Sequence, residues 1–327
     1  MSPLLQGIVT VCVGVGGCVG YFVLSNLILD KVIFPPRAAN PGRNISRANM
    51  VRPWLFVFPA MAALGLYLVY PVVGSFWRSL HNRSGDTFIG LDNYTTMFAD
   101  DGFQVAFFNN MLWVLIVPAA ATFFGLLVAQ LTDRLRWGNI AKSLIFMPMA
   151  ISFVGASLIW KFVYANNADI GLINAVRDFF GASDPLDVLQ LRFWNNFFLM
   201  AILVWIQTGF AMVILSAALR GIPEETIEAA IIDGANPLQV FFKIKVPQIM
   251  GTIVVVWTTI TILVLKVFDI VYTMTGGNFG TDVLPSYMMS FMFRDDGRAT
   301  AVAFVIMMVV LPVMIWNIRQ ARAEMRP

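Results

Sequence analysis

The chain has 327 residues, of which 58% are hydrophobic and only 13% are charged. A soluble domain of this length cannot bury so much apolar surface, so the composition excludes one and predicts an all-α polytopic membrane protein. The net charge of +3 requires no nucleic-acid partner, because it reflects an uneven distribution of lysine and arginine among the loops.

The first predicted helix covers roughly residues 4–29. It lacks a basic region before it and a convincing small-residue cleavage site, so we expect a retained N-terminal transmembrane helix (1–30) and not a signal peptide. Cys12 and Cys18 fall on different faces of this helix, which favours apolar packing over a disulfide or a metal site. Residues 31–53, rich in Pro, Arg and Asn, are interpreted as a cytoplasmic linker.

Six further apolar stretches follow, and we predict that residues 54–320 form one transmembrane domain. At about 1.5 Å per residue, each stretch is long enough to cross a hydrocarbon core of about 30 Å. Together with the first helix they give about seven spans, at roughly 4–29, 54–77, 106–131, 144–164, 197–219, 249–271 and 299–318.

Basic residues in the loops predict the orientation, because loops rich in lysine and arginine remain in the cytoplasm. One side of the membrane would hold fourteen of them: Lys31, Arg37, Arg43, Arg47, Arg52, Arg134, Arg136, Lys142, Arg220, Lys243, Lys245, Arg319, Arg322 and Arg326. The other side would hold six: Arg78, Arg83, Arg177, Arg192, Arg294 and Arg298. We therefore expect the N-terminus outside and the C-terminus in the cytoplasm.

Polar residues inside the spans are candidates for a binding site, because an unsatisfied polar group in hydrocarbon is costly. Gln207 lies near the middle of the fifth span, and Thr258 and Thr261 share one face of the sixth. A hydrogen bond between helices is an equally good explanation of Gln207. Packing is the favoured role of the two threonines, since their hydroxyls can bond back to the helix.

The polar loop at 223–247, PEETIEAAIIDGANPLQVFFKIKVP, is the most informative segment of the chain. Each of its charges would cost several kcal/mol in hydrocarbon, so the loop lies in water. Pro223, followed by two glutamates, predicts the start of a helix, and Gly234 predicts its end. Asn236-Pro237 then predicts a second helix that ends before Pro247.

On the first of these helices, Ile227, Ala230 and Ile231 share one face, with Ala229 beside them. Because these side chains offer little bulk to hinder a close approach, we predict a docking surface for another protein. An ordinary connector of two helices is the alternative. A DNA-binding motif is disfavoured, since phosphate would repel the acidic first helix.

Lys266 and Asp269 are three positions apart near the outer end of the sixth span. We expect them to form an ion pair, with substrate contact as the alternative. No cluster of His and Cys predicts a metal site or a catalytic group, and the glycine-rich stretch at 275–280 lacks the lysine of a phosphate-binding loop. The sequence therefore predicts neither an enzyme nor a bound cofactor.

The polar loop resembles the EAA loop of the membrane subunits of bacterial ABC importers. The match comprises Glu228-Ala229-Ala230, Gly234 six positions after the glutamate, Ile244 and Pro247, with Val246 where the family usually has leucine. The segment FIGLDNY (88–94), Asn109-Asn110 and the runs 147–164 and 267–278 also resemble this family. The likeness covers about residues 50–320 and is closest to the maltose-type carbohydrate permeases, most of all those for alpha-glucosides.

This resemblance implies a six-helix importer core in the bacterial inner membrane, to which the first helix is an addition. It implies that the loop couples the permease to an ATPase subunit through Glu228, Ala229, Ala230, Asp233, Gly234, Ile244 and Pro247. The implied partners are a second related permease, two ATPase subunits that bind the ATP, a periplasmic solute-binding protein and membrane lipid.

In maltose-type permeases the sugar lies about halfway across the membrane, on the helices before and after the EAA loop. The resemblance thus places Gln207 and Phe210 at the sugar, with Thr258 and Thr261 as less favoured candidates. The expected function is the import of a neutral sugar, an alpha-glucoside or oligosaccharide. The rivals are an ion-coupled secondary transporter that uses Lys266 and Asp269, for which more membrane charges and internal repeats are typical, and a membrane scaffold or channel.

Overall fold

The computed structural model of the protein describes residues 2–35, 41–133, 135–182 and 184–324. Regular structure in these ranges is helical, apart from one isolated β-bridge between His81 and Phe88. The all-α prediction is therefore confirmed. The chain divides into two compact units, Met1–Gly74 and Ser75–Pro327. Three arginines of the charge count lie outside the described residues, namely Arg37, Arg134 and Arg326.

The first unit is made of long apolar helices. Ser2 caps the first of them by accepting a hydrogen bond from the backbone N–H of Leu5. Single π-helical turns at Leu29–Ile33 and Gly65–Val69 extend the first helix and connect the second to the third. The helices are α1 (Pro3–Ile28), α2 (Pro41–Leu64) and α3 (Tyr70–Ser79), the last of which continues into the second unit.

The segment interpreted as a linker, 31–53, is helical from Pro41 onward, and residues 36–40 lie outside the described ranges. Proline at the start of a helix loses no hydrogen bond, since the first N–H groups have no partner in the helix. Arg52 on α2 donates hydrogen bonds to both carboxylate oxygens of Asp30, at 2.7 and 2.9 Å. The polar residues of this segment therefore belong largely to helix α2 and not to an extended linker.

The second unit contains the remaining helices. They are α4 (Asp92–Ala99), α5 (Asp101–Thr132), α6 (Gly138–Phe146), α7 (Phe153–Val163), α8 (Leu172–Phe179), α9 (Trp194–Arg220), α10 (Glu224–Ile232), α11 (Pro237–Gln239), α12 (Val246–Gln248), α13 (Met250–Val264), α14 (Asp269–Met274), α15 (Leu284–Phe291) and α16 (Asp296–Glu324). Among them α5 packs along α9, and α13 packs against both. The core of the unit lies where these three helices meet.

Close packing between α5 and α9 depends on small residues. A β-carbon at Gly125 of α5 would lie 2.4 Å from that of Ala211 on α9 and 2.9 Å from the backbone nitrogen of Met212. Any side chain at position 125 would therefore push the two backbones apart. Small residues at such contacts are typical of helices packed within membranes, where dispersion forces hold the helices together.

Among the described residues, five helices are long and apolar enough to cross a membrane, and two bent helix pairs raise the number to seven if each pair is one span. The five are Leu5–Ile33, Gly42–Ser79, Asp101–Thr132, Trp194–Arg220 and Asp296–Trp316. The bent pairs are Gly138–Ala150 with Phe153–Val163, at 105°, and Pro237–Gln248 with Met250–Val264, at 70°. About seven spans agrees with the prediction, but the fourth and the sixth are interrupted.

The interruption of the fourth span follows from its sequence. Pro148 lies in a short 3₁₀ turn at Met147–Ala150, and Ser152 then caps α7 by accepting a hydrogen bond from the N–H of Gly155 at 3.1 Å. A proline followed by a capping serine ends one helix and begins another. The sixth span differs too, because α13 ends at Val264, earlier than the predicted 271.

Candidate functional site

Gln207 lines a cavity of about 440 Å³ at the bend of the fourth span. Its walls come from the turn before α7, the middle of α9, the end of α13 and the start of α14: Met149, Ile151, Ser152, Phe153, Val154, Ile206, Gln207, Leu263 and Asp269. The 105° bend and the early end of α13 together open this space. Its volume falls within the roughly 300–1,000 Å³ that is usual for small-molecule sites.

The side chain of Gln207 is available to a ligand. It is 4% exposed, and its amide has no hydrogen-bond partner among the described residues, whereas the neighbouring Thr208 bonds back to the carbonyl of Val204 at 2.7 Å. A carboxamide offers both donors and an acceptor. An uncharged ligand with hydroxyl groups can satisfy such a group, and Asp269 offers a further acceptor in the same lining.

The other candidate contacts lie outside the lining of this cavity. Phe210 is partly buried against the apolar core. Thr258 and Thr261 are buried, and their hydroxyls bond to the carbonyls of Val255 at 3.0 Å and Trp257 at 2.8 Å. These two bonds agree with the packing role that the sequence favoured for the threonines. Gln207 alone of the four residues reaches the cavity.

Sequence reasoning missed the residues contributed by the broken spans. Met149 to Val154 reach the cavity because the fourth span turns at that point, whereas its apolar run by itself predicts a continuous helix. A signal was present in Pro148 and Ser152, a helix-breaking residue and a capping residue four positions apart. No feature of the sequence indicated that Leu263 would line a cavity, because its place there depends on where α13 ends.

The predicted ion pair between Lys266 and Asp269 does not form in the described structure. Both side chains are exposed, and no nitrogen–oxygen distance of 4.0 Å or less joins them. The expectation assumed a continuous helix, in which residues three apart are neighbours. Since α13 ends at Val264 and α14 begins at Asp269, the two residues do not share a helical turn.

The first helix of the polar loop is α10, and it is exposed over most of its surface. Pro223 occupies the capping position just before the helix, one residue earlier than predicted. Ile227 is half-buried and packs against the core, whereas Ile231 and Ile232 are 59% and 84% exposed. The predicted docking face therefore has to be corrected. Its Ile227 edge turns inward, and the free apolar surface is formed by Ile231 and Ile232.

Glu228, Ala229 and Asp233 are exposed on α10, whereas Ala230 is half-buried. Gly234 ends the helix at a φ of +82°, in the left-handed region that disfavours side chains. Its N–H donates to the carbonyl of Ile231, and the next N–H, of Ala235, donates to that of Ala230, both at 3.0 Å. The loop thus turns sharply at Gly234, as predicted.

The second helix of the loop begins as predicted and ends later. Asn236 and Gln239 form a reciprocal capping box at its start. The prediction that it ends before Pro247 was wrong, since helical structure continues to Gln248, with Ile244 half-buried on the way. A π-helical segment at Val240–Lys245 precedes the proline. The wider π turn lets the chain reach Pro247 without the tight packing that proline disrupts in an α-helix.

Near this loop, a network of polar side chains joins the ends of α5 and α9 to the middle of α6. Sequence reasoning did not identify it. Lys142 donates hydrogen bonds to the Asp133 carboxylate and to the Ser216 hydroxyl, both at 2.5 Å. Ser216 and Arg220 each donate to the same carboxylate oxygen of Asp133 at 3.2 Å. Arg220 is the last residue of α9, and α10 begins four positions later, at Glu224.

Burial alone raises the pKa of the Asp133 carboxyl, but the bonds and charge of Lys142, with Arg220 and Ser216, outweigh it and hold the pKa below the ordinary 3.8. The carboxylate is thus stabilised in its charged form. The charged carboxylate thus links the ends of α5 and α9 to α6.

At the other end of α5 and α9, asparagines hold the loop that follows α14. Asn109 donates to the carbonyls of Gly280 and Asp282, both at 2.8 Å, and Asn110 accepts from the N–H of Leu284 at 3.1 Å. Asn195, on α9, donates to the carbonyl of Phe279 at 3.0 Å. The sequence offered a signal in the paired asparagines at 109–110 and 195–196, but only the fold identifies their partners.

Residues 121–323 match the family model of binding-protein-dependent transport system inner membrane components. The alpha-glucoside transport system permease protein AglF of Rhizobium meliloti (strain 1021) is 60% identical over 334 aligned residues, which cover 99% of each chain. The osmoprotective compounds uptake permease protein GgtC of Synechocystis sp. is 49% identical over 83% of this chain and 99% of its own.

The fold is also similar to a chain in the crystal structure of a bacterial alginate ABC transporter in complex with an alginate pentasaccharide-bound periplasmic protein. The TM-score is 0.72 at 20% sequence identity, over 88% of this chain and 99% of the other. At this identity the similarity establishes a shared fold.

The polar network at Asp133 predicts a stability that depends on pH. Since folding lowers the pKa of Asp133, its contribution is fully present above the ordinary value and is lost as the pH falls through the lowered one. Asp133→Asn should destabilise the protein by about 1–3 kcal/mol near neutral pH, because Lys142 loses its charged partner. Thermal unfolding in lipid nanodiscs measures this as a melting temperature lower by several degrees. Asp178→Asn, at an exposed position on α8, is the control, and equal melting temperatures for both variants would contradict the assignment.

Proposed function

Because the chain belongs to the family of binding-protein-dependent transport system inner membrane components, we propose that it is the permease subunit that carries alpha-glucosides through an ATP-driven importer. The main support for this substrate class is that the chain is 60% identical, over almost its whole length, to an alpha-glucoside permease. The Gln207 cavity supports the same class, because its polar groups suit a neutral ligand with hydroxyl groups. Membership of this family also argues against the rival interpretation, in which the protein is an ion-coupled carrier that uses Lys266 and Asp269.

Energy for transport would come from other subunits. The glycine-rich stretch at 275–280 lacks the lysine of a nucleotide-binding loop, so this chain would need no cofactor of its own. Two ATPase subunits would bind and hydrolyse ATP, a second related permease would complete the pathway, and a periplasmic solute-binding protein would deliver the sugar. The exposed isoleucines of α10, Ile231 and Ile232, would contact the ATPase.

Motion of α10 would pass into the membrane through its short connection to α9. Three residues, 221–223, separate the two helices, and Arg220 at the end of α9 bonds to Asp133 at the end of α5. An ATPase that moves α10 would therefore move the ends of both helices together. Tilting of α9 would change the space around Gln207 and expose the cavity to one side of the membrane at a time.

A second substrate class is favoured by the relative that takes up osmoprotective compounds. Many such compounds are small neutral molecules with hydroxyl groups, which the same cavity chemistry would accept. Competition with labelled maltose during uptake separates the two classes. An alpha-glucoside importer should be inhibited by unlabelled alpha-glucosides at lower concentrations than by other neutral osmoprotectants.

The function is tested by replacing Gln207 in the complete transporter, reconstituted in proteoliposomes with its binding protein and ATP. Gln207→Leu should lower maltose uptake about tenfold, because losing hydrogen bonds of about 1.4 kcal/mol changes binding by this factor. ATP hydrolysis should remain, since the polar loop is unchanged. Thr261→Val is the matched control, because the Thr261 hydroxyl bonds within its own helix. Loss of assembly in Gln207→Leu would instead identify a structural role.

Coupling is tested at the turn after α10. Gly234→Val should abolish most uptake, because a β-branched residue is strained at a φ of +82°, and Glu228→Lys should do so by reversing the charge of an exposed contact residue. Both variants should remain in the membrane. Gly85→Val is the control, since Gly85 has the same φ of +82° and open space around it but lies outside the polar loop and its connection to α9. Normal uptake by the first two variants would remove the basis for a coupling role.

Orientation is tested with reporter fusions in a Gram-negative host. A fusion after Gly221 should report the cytoplasm, whereas fusions near Gly181 and Gly280 should report the periplasm, as the excess of basic residues predicts. Phosphatase and fluorescent-protein reporters, used in parallel at each site, give opposite signals on the two sides. The reverse pattern would place α10 out of reach of any cytoplasmic ATPase.

A further inference from the structure

A second cavity, of about 320 Å³, lies against the segment that follows α14 and shares no lining residue with the Gln207 cavity. Two aromatic rings and several polar groups form its walls: Tyr272, Asp282, Ser286, Ser290, Phe293 and Arg294. The volume lies within the usual range for small ligands. None of the residues to which the proposed transport function assigns a role lines this cavity.

The two cavities lie at different depths along the helices. Asn195, at the start of α9, bonds to Phe279 beside the second cavity, and Gln207 lies twelve residues further along α9. At 1.5 Å per residue, Asn195 and Gln207 are about 18 Å apart along α9. On α14, Asp269 lines the first cavity and Tyr272, three positions later, lines the second, so both cavities reach this short helix. The Asp133 network and α10 lie at the opposite end of α9. The second cavity is therefore on the side of the protein away from the polar loop.

The walls of this cavity are held in place before any ligand binds. The bonds from Asn109 and Asn110 fix residues 280–284, and the hydroxyls of Thr275 and Thr281, 2.6 Å apart, close the loop on itself. Tyr272 stacks on Phe268, with ring centroids 5.0 Å apart. A site whose parts are already ordered loses little conformational entropy on binding.

Gly277 keeps the polar groups of the cavity accessible. It has a φ of +81°, and a β-carbon on it would lie 2.7 Å from the Asp282 carboxylate and 3.2 Å from the Ser286 hydroxyl. Ser286 is 6% exposed, and the N–H of Val283 donates to the Asp282 carboxylate at 3.2 Å. Burial raises the pKa of the Asp282 carboxyl, an effect that the bonds from Ser286 and Val283 only partly offset. A carboxylate short of hydrogen-bond donors gains from the hydroxyl groups of a ligand.

We propose that this cavity is a subsite for one glycosyl unit of the transported sugar, on the face where the sugar enters. Rings of Tyr272 and Phe293 present apolar faces to the C–H groups of a pyranose, while Asp282 accepts hydrogen bonds from its hydroxyls and Arg294 donates to them. Asp282 and Arg294 together carry no net charge, so a ligand without net charge suits the cavity best. The subsite rests on the proposed function and would precede the Gln207 cavity in the pathway.

The proposal is tested with Asp282→Asn and Tyr272→Leu in the complete transporter. Tyr272 is 56% exposed, so its replacement leaves the fold intact even if Asp282 contributes to folding. In proteoliposomes, both variants should raise the KM for maltose about tenfold while the maximal rate of uptake stays at the wild-type value. Asp296→Asn is the matched control, because Asp296 is exposed at the start of α16 and does not line the cavity.

Direct binding separates a sugar subsite from a docking surface for the solute-binding protein. Saturation-transfer NMR of maltose with the transporter in nanodiscs, without binding protein, should show weaker transfer in both variants than in Asp296→Asn. If saturation transfer is unchanged in both variants, the subsite is overturned. This holds even if the KM rises, because a higher KM with unchanged transfer means that the binding protein docks poorly. A wild-type complex that takes up no alpha-glucoside refutes the proposed function itself, whereas normal uptake with unaltered KM in both variants refutes the subsite alone.

Discussion

Helices α5 and α9 approach so closely at Gly125 that no side chain fits between their backbones. In hydrocarbon no hydrophobic force drives helices together, so such contact depends on dispersion and on polar bonds at the ends of the helices. Both kinds are present here. Fully buried Trp113, Leu199 and Met212 fill the interface, and polar side chains hold each end.

The two polar ends hold different kinds of structure. At one end, Asn109, Asn110 and Asn195 bond to the backbone of a loop and fix it in a single conformation. At the other, Asp133 shares its carboxylate with Lys142, Ser216 and Arg220, all of them side chains. Side-chain bonds can exchange partners when helices tilt, whereas bonds to a fixed backbone resist such exchange. The end near α10 is therefore the better suited of the two to transmit motion.

Interruptions of the helices create the sites. The bend before α7 and the end of α13 at Val264 leave room beside Gln207, and the break after α13 separates Lys266 from Asp269. Irregular backbone at membrane depth is tolerated only where it is buried in protein or lines a cavity. The breaks that separate Lys266 from Asp269 thus also provide the space and part of the polar lining of the Gln207 cavity.

The sequence by itself determined the features that depend on neighbouring residues. Long apolar runs predicted the spans, the charges of 223–247 predicted a loop in water, and Gly234 marked a turn that requires a positive φ. The residue pattern also identified the family, and Gln207 as a polar group that needs a partner. Tertiary structure alone decided which side of α10 is free, that Pro247 lies within a helix, and which residues surround Gln207. These outcomes depend on contacts between residues far apart in the chain, and local periodicity carries no information about such contacts.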